Sequence, residues 1–254
     1  MLNIVVPMAG LGNRFQEEGF ELPKPLIPIH GVPMMKAIIR NLRPSTPHQF
    51  YFLCLHDHIV NHCIDSKLQS WLPDCKVIEV AEVTEGAACT VLLAKEYIDN
   101  DLPLMIANSD QWVQADIDTY LDVMDSEQAD GLIMTMRAND PKWSYVSFDD
   151  SGTVVGLVEK RVISNEATVG IYNFRRGSDY IWAAEQMIEK GLRVNNEFYV
   201  APVYNELLVS GSKIVVYNVG EEYHGMHGLG IPSDLARFID SPVSSIAVEG
   251  LQGT

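Results

Sequence analysis

The sequence predicts a three-layer α/β fold, a mixed and mostly parallel sheet with helices on both faces and a smaller antiparallel lobe. Short apolar runs rich in β-branched residues, alternating with helix-like segments, predict the layers. A change of character after residue 130, to short strands without long helices between them, predicts the lobe.

The run Leu2-Asn3-Ile4-Val5-Val6-Pro7 reads as a buried first strand leading into a loop that contains Gly10 and Gly12. Pro33 to Leu42 reads as a helix, Phe50 to Leu55 as a strand and Cys75 to Val80 as another. Thr84 is placed to cap a helix from Glu85 to about Ile98, with acid at its start. Pro103 to Ala107 forms the next strand and stops at Asn108-Ser109-Asp110. Beyond Gly131 come short strands at 131–136, 145–148, 154–158 and 168–172. Helices are expected from Ser178 to Lys190 and from Ala201 to Val209, ended by Gly191 and Gly211. Residues 1–240 are read as one domain with halves 1–130 and 131–240, and the small, polar tail 241–254 as loosely held.

In an open sheet of this kind, ligands bind at the carboxyl ends of the strands. That rule selects the loops at 10–14, 84–86 and 108–111. The 254 residues are 47% apolar and carry a formal charge of −16, which allows one substantial core and argues against a nucleic-acid footprint. A phosphate ligand would have to be met by a few local cations, and Arg14, Lys24, Lys160 and Arg161 stand out against the acidic background. No apolar run is long enough to span a membrane and the start has no basic leader, so a cytoplasmic location is expected.

The four cysteines lack CxxC spacing and lie in apolar neighbourhoods, which predicts buried reduced thiols. His56, His58 and His62 with Cys63 match no common zinc spacing, and Asp57 and Asn61 among them suggest a solvated helix.

Pro7 to Phe15 follows the first strand directly, and its glycines let several backbone N–H groups approach an anion. The loop is neither a phosphate loop with GKS or GKT nor a complete GxGxxG fingerprint, since position 15 is Phe; alone it could be a tight turn. In Leu22-Pro23-Lys24-Pro25-Leu26-Ile27-Pro28-Ile29, prolines stiffen the chain around a single lysine.

Together these segments resemble the amino-terminal signature of the sugar-phosphate nucleotidyltransferases, or NDP-sugar pyrophosphorylases. These enzymes have a GT-A-like, Rossmann-like fold in which AGxG(S/T)R precedes a PKPL-like segment. Ala9-Gly10-Leu11-Gly12-Asn13-Arg14 matches with Asn13 in place of Ser or Thr. Glu82 to Ala88, Asn108-Ser109-Asp110, Val158-Glu159-Lys160-Arg161 and Ala167 to Tyr172 resemble, in order, the base-holding segment, the GDN or GDQ strand end, the VEKP segment and the AxxGIY strand.

The resemblance implies transfer of a nucleotide from an NTP to a phosphorylated small-molecule acceptor, such as a sugar 1-phosphate, with Mg2+ as cofactor. Ala9, Gly10, Leu11, Gly12 and Asn13 would cradle the triphosphate, and Thr84, Glu85 and Gly86 would read the base. Arg14 and Lys24 would offset phosphate charge, and Asp110 would hold the metal. Glu159 and Lys160 would bind the acceptor's hydroxyls and phosphate. The polar and aromatic cluster 195–199 is expected to line the acceptor pocket through Asn196 and Glu197.

One position departs from the family: Gly228 stands where a second metal-binding Asp is common. Another acid such as Glu197 would then have to substitute, or Asp110 would act with nucleotide oxygens and water. A cytidylyltransferase of a non-sugar acceptor, a glycosyltransferase and a non-catalytic nucleotide sensor remain alternatives. The base and the oligomeric state, including a homo-oligomer, stay open.

Overall fold

A computed structural model describes residues 1–252. The first half runs β1 (Leu2–Met8), α1 (Asn13–Glu17), β2 (Pro28–Ile29), β3 (Val32–Pro33), α2 (Met34–Leu42), β4 (His48–Leu55), α3 (His56–His62), α4 (Ile64–Trp71) and β5 (Lys76–Val80). It continues through α5 (Ala87–Leu92), α6 (Lys95–Ile98), β6 (Leu104–Ala107), β7 (Gln111–Val113) and α7 (Ile117–Ser126). The second half runs β8 (Gly131–Arg137), β9 (Ser144–Phe148), β10 (Val154–Glu159), β11 (Glu166–Phe174), α8 (Gly177–Glu189), α9 (Val203–Val209), β12 (Ile214–Glu222), β13 (Gly225–Gly228), α10 (Pro232–Ile239) and α11 (Pro242–Val248).

Side chains of β1 alternate between two cores, as the period of two in a strand requires. Ile4, Val6 and Met8 face the core that includes residues of α2, α4, α7, α10 and α11. Val5 faces the core that includes residues of α5, α8 and α9. The sheet between them has the order β5-β4-β1-β6-β11-β8-β12-β13-β7. β1 pairs in parallel with β4 and β6, and β4 with β5.

At β11 the direction reverses, because this strand lies antiparallel to both β6 and β8. The second half therefore continues the main sheet and brings in antiparallel pairings, of β11 with β6, β8 and β9 and of β9 with β10. β11 covers the edge of β6, which would otherwise present unpaired N–H and C=O groups. The β9–β10 hairpin leaves the main path, attached through β11, and β2 and β3 form a small antiparallel sheet of their own.

Three local expectations change. The helix predicted over 85–98 is two short helices, and Thr84 does not cap it: its hydroxyl bonds to Gly86 O and Thr90 Oγ1 instead of a helix N–H. The tail predicted to be loose contains α11, with Ala247 and Val248 buried in the first core and Ser244 Oγ 2.7 Å from His30 Nε2. Apolar side chains at these spacings outweigh the polar composition of the segment. Of the thiols, Cys54 and Cys75 are buried, Cys89 is half-buried, and Cys63 is exposed where it joins α3 to α4 at φ 52°. Burial raises the Cys75 pKa to about 11.

The start of α8 is fixed by a close backbone approach. Gly177 N–H donates to Leu102 O, and a Cβ at Gly177 would lie 1.8 Å from Ile98 O. Gly177→Ala is expected to cost about 2 kcal/mol or more, since a backbone oxygen cannot swing aside as a flexible side chain would. Urea denaturation checks this: the midpoint should fall, and an unchanged midpoint would show that the α6–α8 contact yields.

Candidate active site

Parallel pairing of β1 with β6 sends both carboxyl ends to the same side of the sheet. Met8, Ala9 and Gly10 from one end and Asn108, Ser109 and Asp110 from the other line a cavity of about 290 Å³. Lys24 enters it from a 3-10 turn, Lys24–Leu26, held open by the extended Pro23 at φ −61° and ψ 144°. Its ammonium lies 2.8 Å from Asp110 Oδ2, and both side chains are about four-fifths buried. Salt screens such a pair less than one at the surface.

The opposite wall is Thr84, Gly86 and Ala87 with Glu197. Gly86 has φ 131°, and a Cβ there would lie 2.4 Å from Phe198 O. Phe198 N–H donates to Glu85 O, and Phe198 O accepts from Ala88 N–H. These bonds hold the 84–88 loop against the 197–199 segment. Only glycine permits so close an approach with that φ.

A second cavity of about 260 Å³ adjoins the first and shares Ala87 and Asn108 with it. Glu159, at the end of β10, is paired with Ser144 across the hairpin and accepts a hydrogen bond from its Oγ. Burial raises the Glu159 pKa, while Ser144 and Lys160 act in the opposite direction. Lys160 has φ 53°; its ammonium donates to the Tyr199 hydroxyl and sits over that ring. Gly170, at φ 85°, lets this wall close: a Cβ there would lie 2.2 Å from Gln111 Oε1 and 2.4 Å from Asn108 Nδ2. Gln111 Oε1 and Trp143 Nε1 are buried without hydrogen-bond partners among the described residues.

Of the residues selected from the sequence, Ala9, Gly10, Lys24, Thr84, Gly86, Asp110 and Glu197 line the first cavity, and Glu159 and Lys160 the second. Leu11 and Gly12 border a neighbouring hollow on the far side of Lys24. Asn13 and Arg14 begin α1 and are exposed outside both main cavities. The Glu85 carboxylate turns outward to Arg193, 2.8 Å away, so only its backbone serves the loop. Asn196 is exposed at φ 64° and lies outside the second cavity, where Tyr199 and Val200 stand instead.

Trp143, Ser144 and Thr168, which no sequence motif singles out, also line the second cavity. Their signal is register: Ser144 meets Glu159 only once the β9–β10 pairing is known.

Gly228 pairs with Gln111, and a Cβ there would meet Asp234 Oδ2 at 3.3 Å. Asp234 Oδ1 accepts from the Tyr223 hydroxyl at 3.0 Å. Gly230 passes so near Asp110 that a Cβ would lie 2.8 Å from its Oδ2. Among the described residues no group of three or more His, Cys, Asp or Glu could hold a metal ion. His227 is buried, and burial lowers its pKa to about 4, so it is neutral near pH 7.

Comparison with known proteins extends this geometry. Residues 4–198 match the family described as Nucleotidyl transferase. A mannose-1-phosphate guanylyltransferase of Mycobacterium tuberculosis is 24% identical over an alignment of 267 positions, gaps included, that covers 97% of this chain. A bifunctional protein GlmU of Methanocaldococcus jannaschii is 24% identical over 199 residues, 76% of this chain. The chain spans 66% and 44% of the lengths of these two relatives. The crystal structure of a nucleoside-diphosphate-sugar pyrophosphorylase from Vibrio cholerae superposes with a TM-score of 0.78 at 25% identity, covering 94% of this chain and all of that one. The match to the family over most of the chain, on a sheet whose strand ends carry the signature loops, establishes that this chain belongs to the nucleotidyl transferase family.

Proposed function

We propose that this protein transfers a nucleoside monophosphate from an NTP to a sugar 1-phosphate, giving an NDP-sugar and pyrophosphate. The observation that carries the proposal is the meeting of Lys24 with Asp110 on the floor of one cavity, beside a second cavity that holds Glu159 and Lys160. An acceptor phosphate oxygen attacks the α-phosphorus in line, a new P–O bond forms, and the bond to the bridging oxygen breaks to release pyrophosphate. That oxygen is already anionic, so no general base is needed. Positioning and charge neutralisation supply the catalysis.

In this scheme the backbone from Ala9 to Gly12 cradles the triphosphate, and Lys24 leaves Asp110 to meet phosphate oxygens. The 84–86 loop faces the base through backbone groups. Lys160 binds the acceptor phosphate, and Glu159 accepts hydrogen bonds from its hydroxyls. Arg14, exposed on α1, would have to fold inward to reach the triphosphate.

The donor set fits Mg2+ in the manner usual for that ion, which takes one or two carboxylates and completes its shell with phosphate oxygens and water. Asp110 would hold it, and Glu197 is the other carboxylate lining the same cavity. When bound, Mg2+ would offset charge on the phosphates. Among the described residues no helix is long and apolar enough to cross a membrane.

Incubation with each NTP, Mg2+ and a panel of sugar 1-phosphates, followed by a pyrophosphate assay, tests the proposal. At least one pair should release pyrophosphate, and silence across the panel would contradict it. Lys24→Ala and Asp110→Ala are each expected to lower the rate by about 100-fold or more with little change in thermal midpoint. Rates near wild type would remove both residues from the chemistry.

Glu159 gives a pH signature. Its raised pKa means that the carboxylate is lost at a higher pH than for an ordinary Glu, and the protonated acid accepts less well from acceptor hydroxyls. The acceptor KM should therefore rise as pH falls through that range. In Glu159→Gln it should be high and flat, and a parallel slope in both proteins would exclude the role.

A further inference from the structure

Lys160 is held in an unusual way. Its φ of 53° lies in the left-handed region, and its N–H donates to Trp143 O at 3.1 Å, which fixes the turn after β10. The side chain so directed places its ammonium 4.6 Å from the centroid of the Tyr199 ring and donates to the Tyr199 hydroxyl. An ammonium has only donors, so the phenol must turn its own proton elsewhere. Glu197, two residues away on the 197–199 segment, is a carboxylate whose charge acts on that phenol.

The three groups bridge the two cavities, since Glu197 lines the first while Tyr199 and Lys160 line the second. A tyrosine phenol is neutral at ordinary pH. A neutral partner holds the ammonium without cancelling its charge. Lys24 differs, because its partner Asp110 is a carboxylate.

We propose that Tyr199 is a positioning residue whose hydroxyl holds the Lys160 ammonium in place for the phosphate of the acceptor. The proposal rests on the assignment of the second cavity to the acceptor. A lysine on a flexible four-carbon stem loses rotamer freedom when it meets a phosphate, and a pre-placed one loses less. The benefit falls on acceptor binding and leaves the triphosphate side unchanged.

Tyr199→Phe keeps the ring and removes the hydroxyl. The Lys160 ammonium should give a protected proton–nitrogen cross-peak in a 15N-lysine spectrum of the wild type, assigned by its loss in Lys160→Arg. In Tyr199→Phe that cross-peak should broaden away. The acceptor KM should rise about tenfold, as expected for one hydrogen bond to a charged group, with kcat and the KM for NTP near wild type. On a Lys160→Ala background, Tyr199→Phe should add nothing further, because it acts through the missing lysine.

A cross-peak absent from the wild type or unchanged in Tyr199→Phe would overturn the proposal. So would penalties that simply add in the double variant, since a merely structural tyrosine would give that result. If the wild type releases no pyrophosphate with any acceptor, the transfer activity itself is refuted, and the spectrum still decides whether Tyr199 holds Lys160.

Discussion

The parallel register of β1 against β6 is the constraint on which the site depends. It sets the Gly10 loop beside Asp110, and the antiparallel pairing of β11 to β6 then brings Gly170 against Asn108. A slip of one residue in either pairing would turn every side chain of the strand to the opposite face. Ile4, Val5 and Val6 are all fully buried, so such a slip would exchange tightly fitted partners in both cores. The geometry of the cavities is thus secured by packing that takes no part in binding.

Electrostatics act within that frame. The chain has a formal charge of −16, yet the cations that line the two main cavities are held by specific partners. Lys24 meets Asp110, Lys160 meets Tyr199, and Lys142 meets Glu222 at 2.7 Å. Any anion that enters must replace those contacts with contacts of its own. A magnesium-bound triphosphate could do so at Lys24 and Asp110 together, since the metal would answer the carboxylate while phosphate oxygens answer the ammonium. A bare anion would satisfy the lysine and leave Asp110 partly buried without a counter-charge, which is costly.

Much of the fold was legible because alternation in β1 and the apolar runs of β4 and β6 report burial directly. The Gly10 loop, Lys24 and Asp110 were legible because glycine, proline and a strand-ending carboxylate carry local signals. Contacts set by long-range register were not. Thr84 has the composition of a helix cap, but Phe198, distant in sequence, clamps Gly86 and redirects the loop. Asn196 and Tyr199 sit three residues apart, and only the turn at 195–196, with both residues at positive φ, decides which of them reaches the second cavity. The tail misled because Ser and Gly suggest a loose end, whereas Ala247 and Val248 fall where the first core accepts them.

A crystal structure with Mg2+ and a non-hydrolysable NTP tests most directly whether the cavity at the ends of β1 and β6 is the nucleotide site. The triphosphate should lie along the Gly10 loop, with the direct contact between Lys24 and Asp110 opened and each group facing the ligand. A nucleotide bound elsewhere, with that ion pair intact, would contradict the central claim.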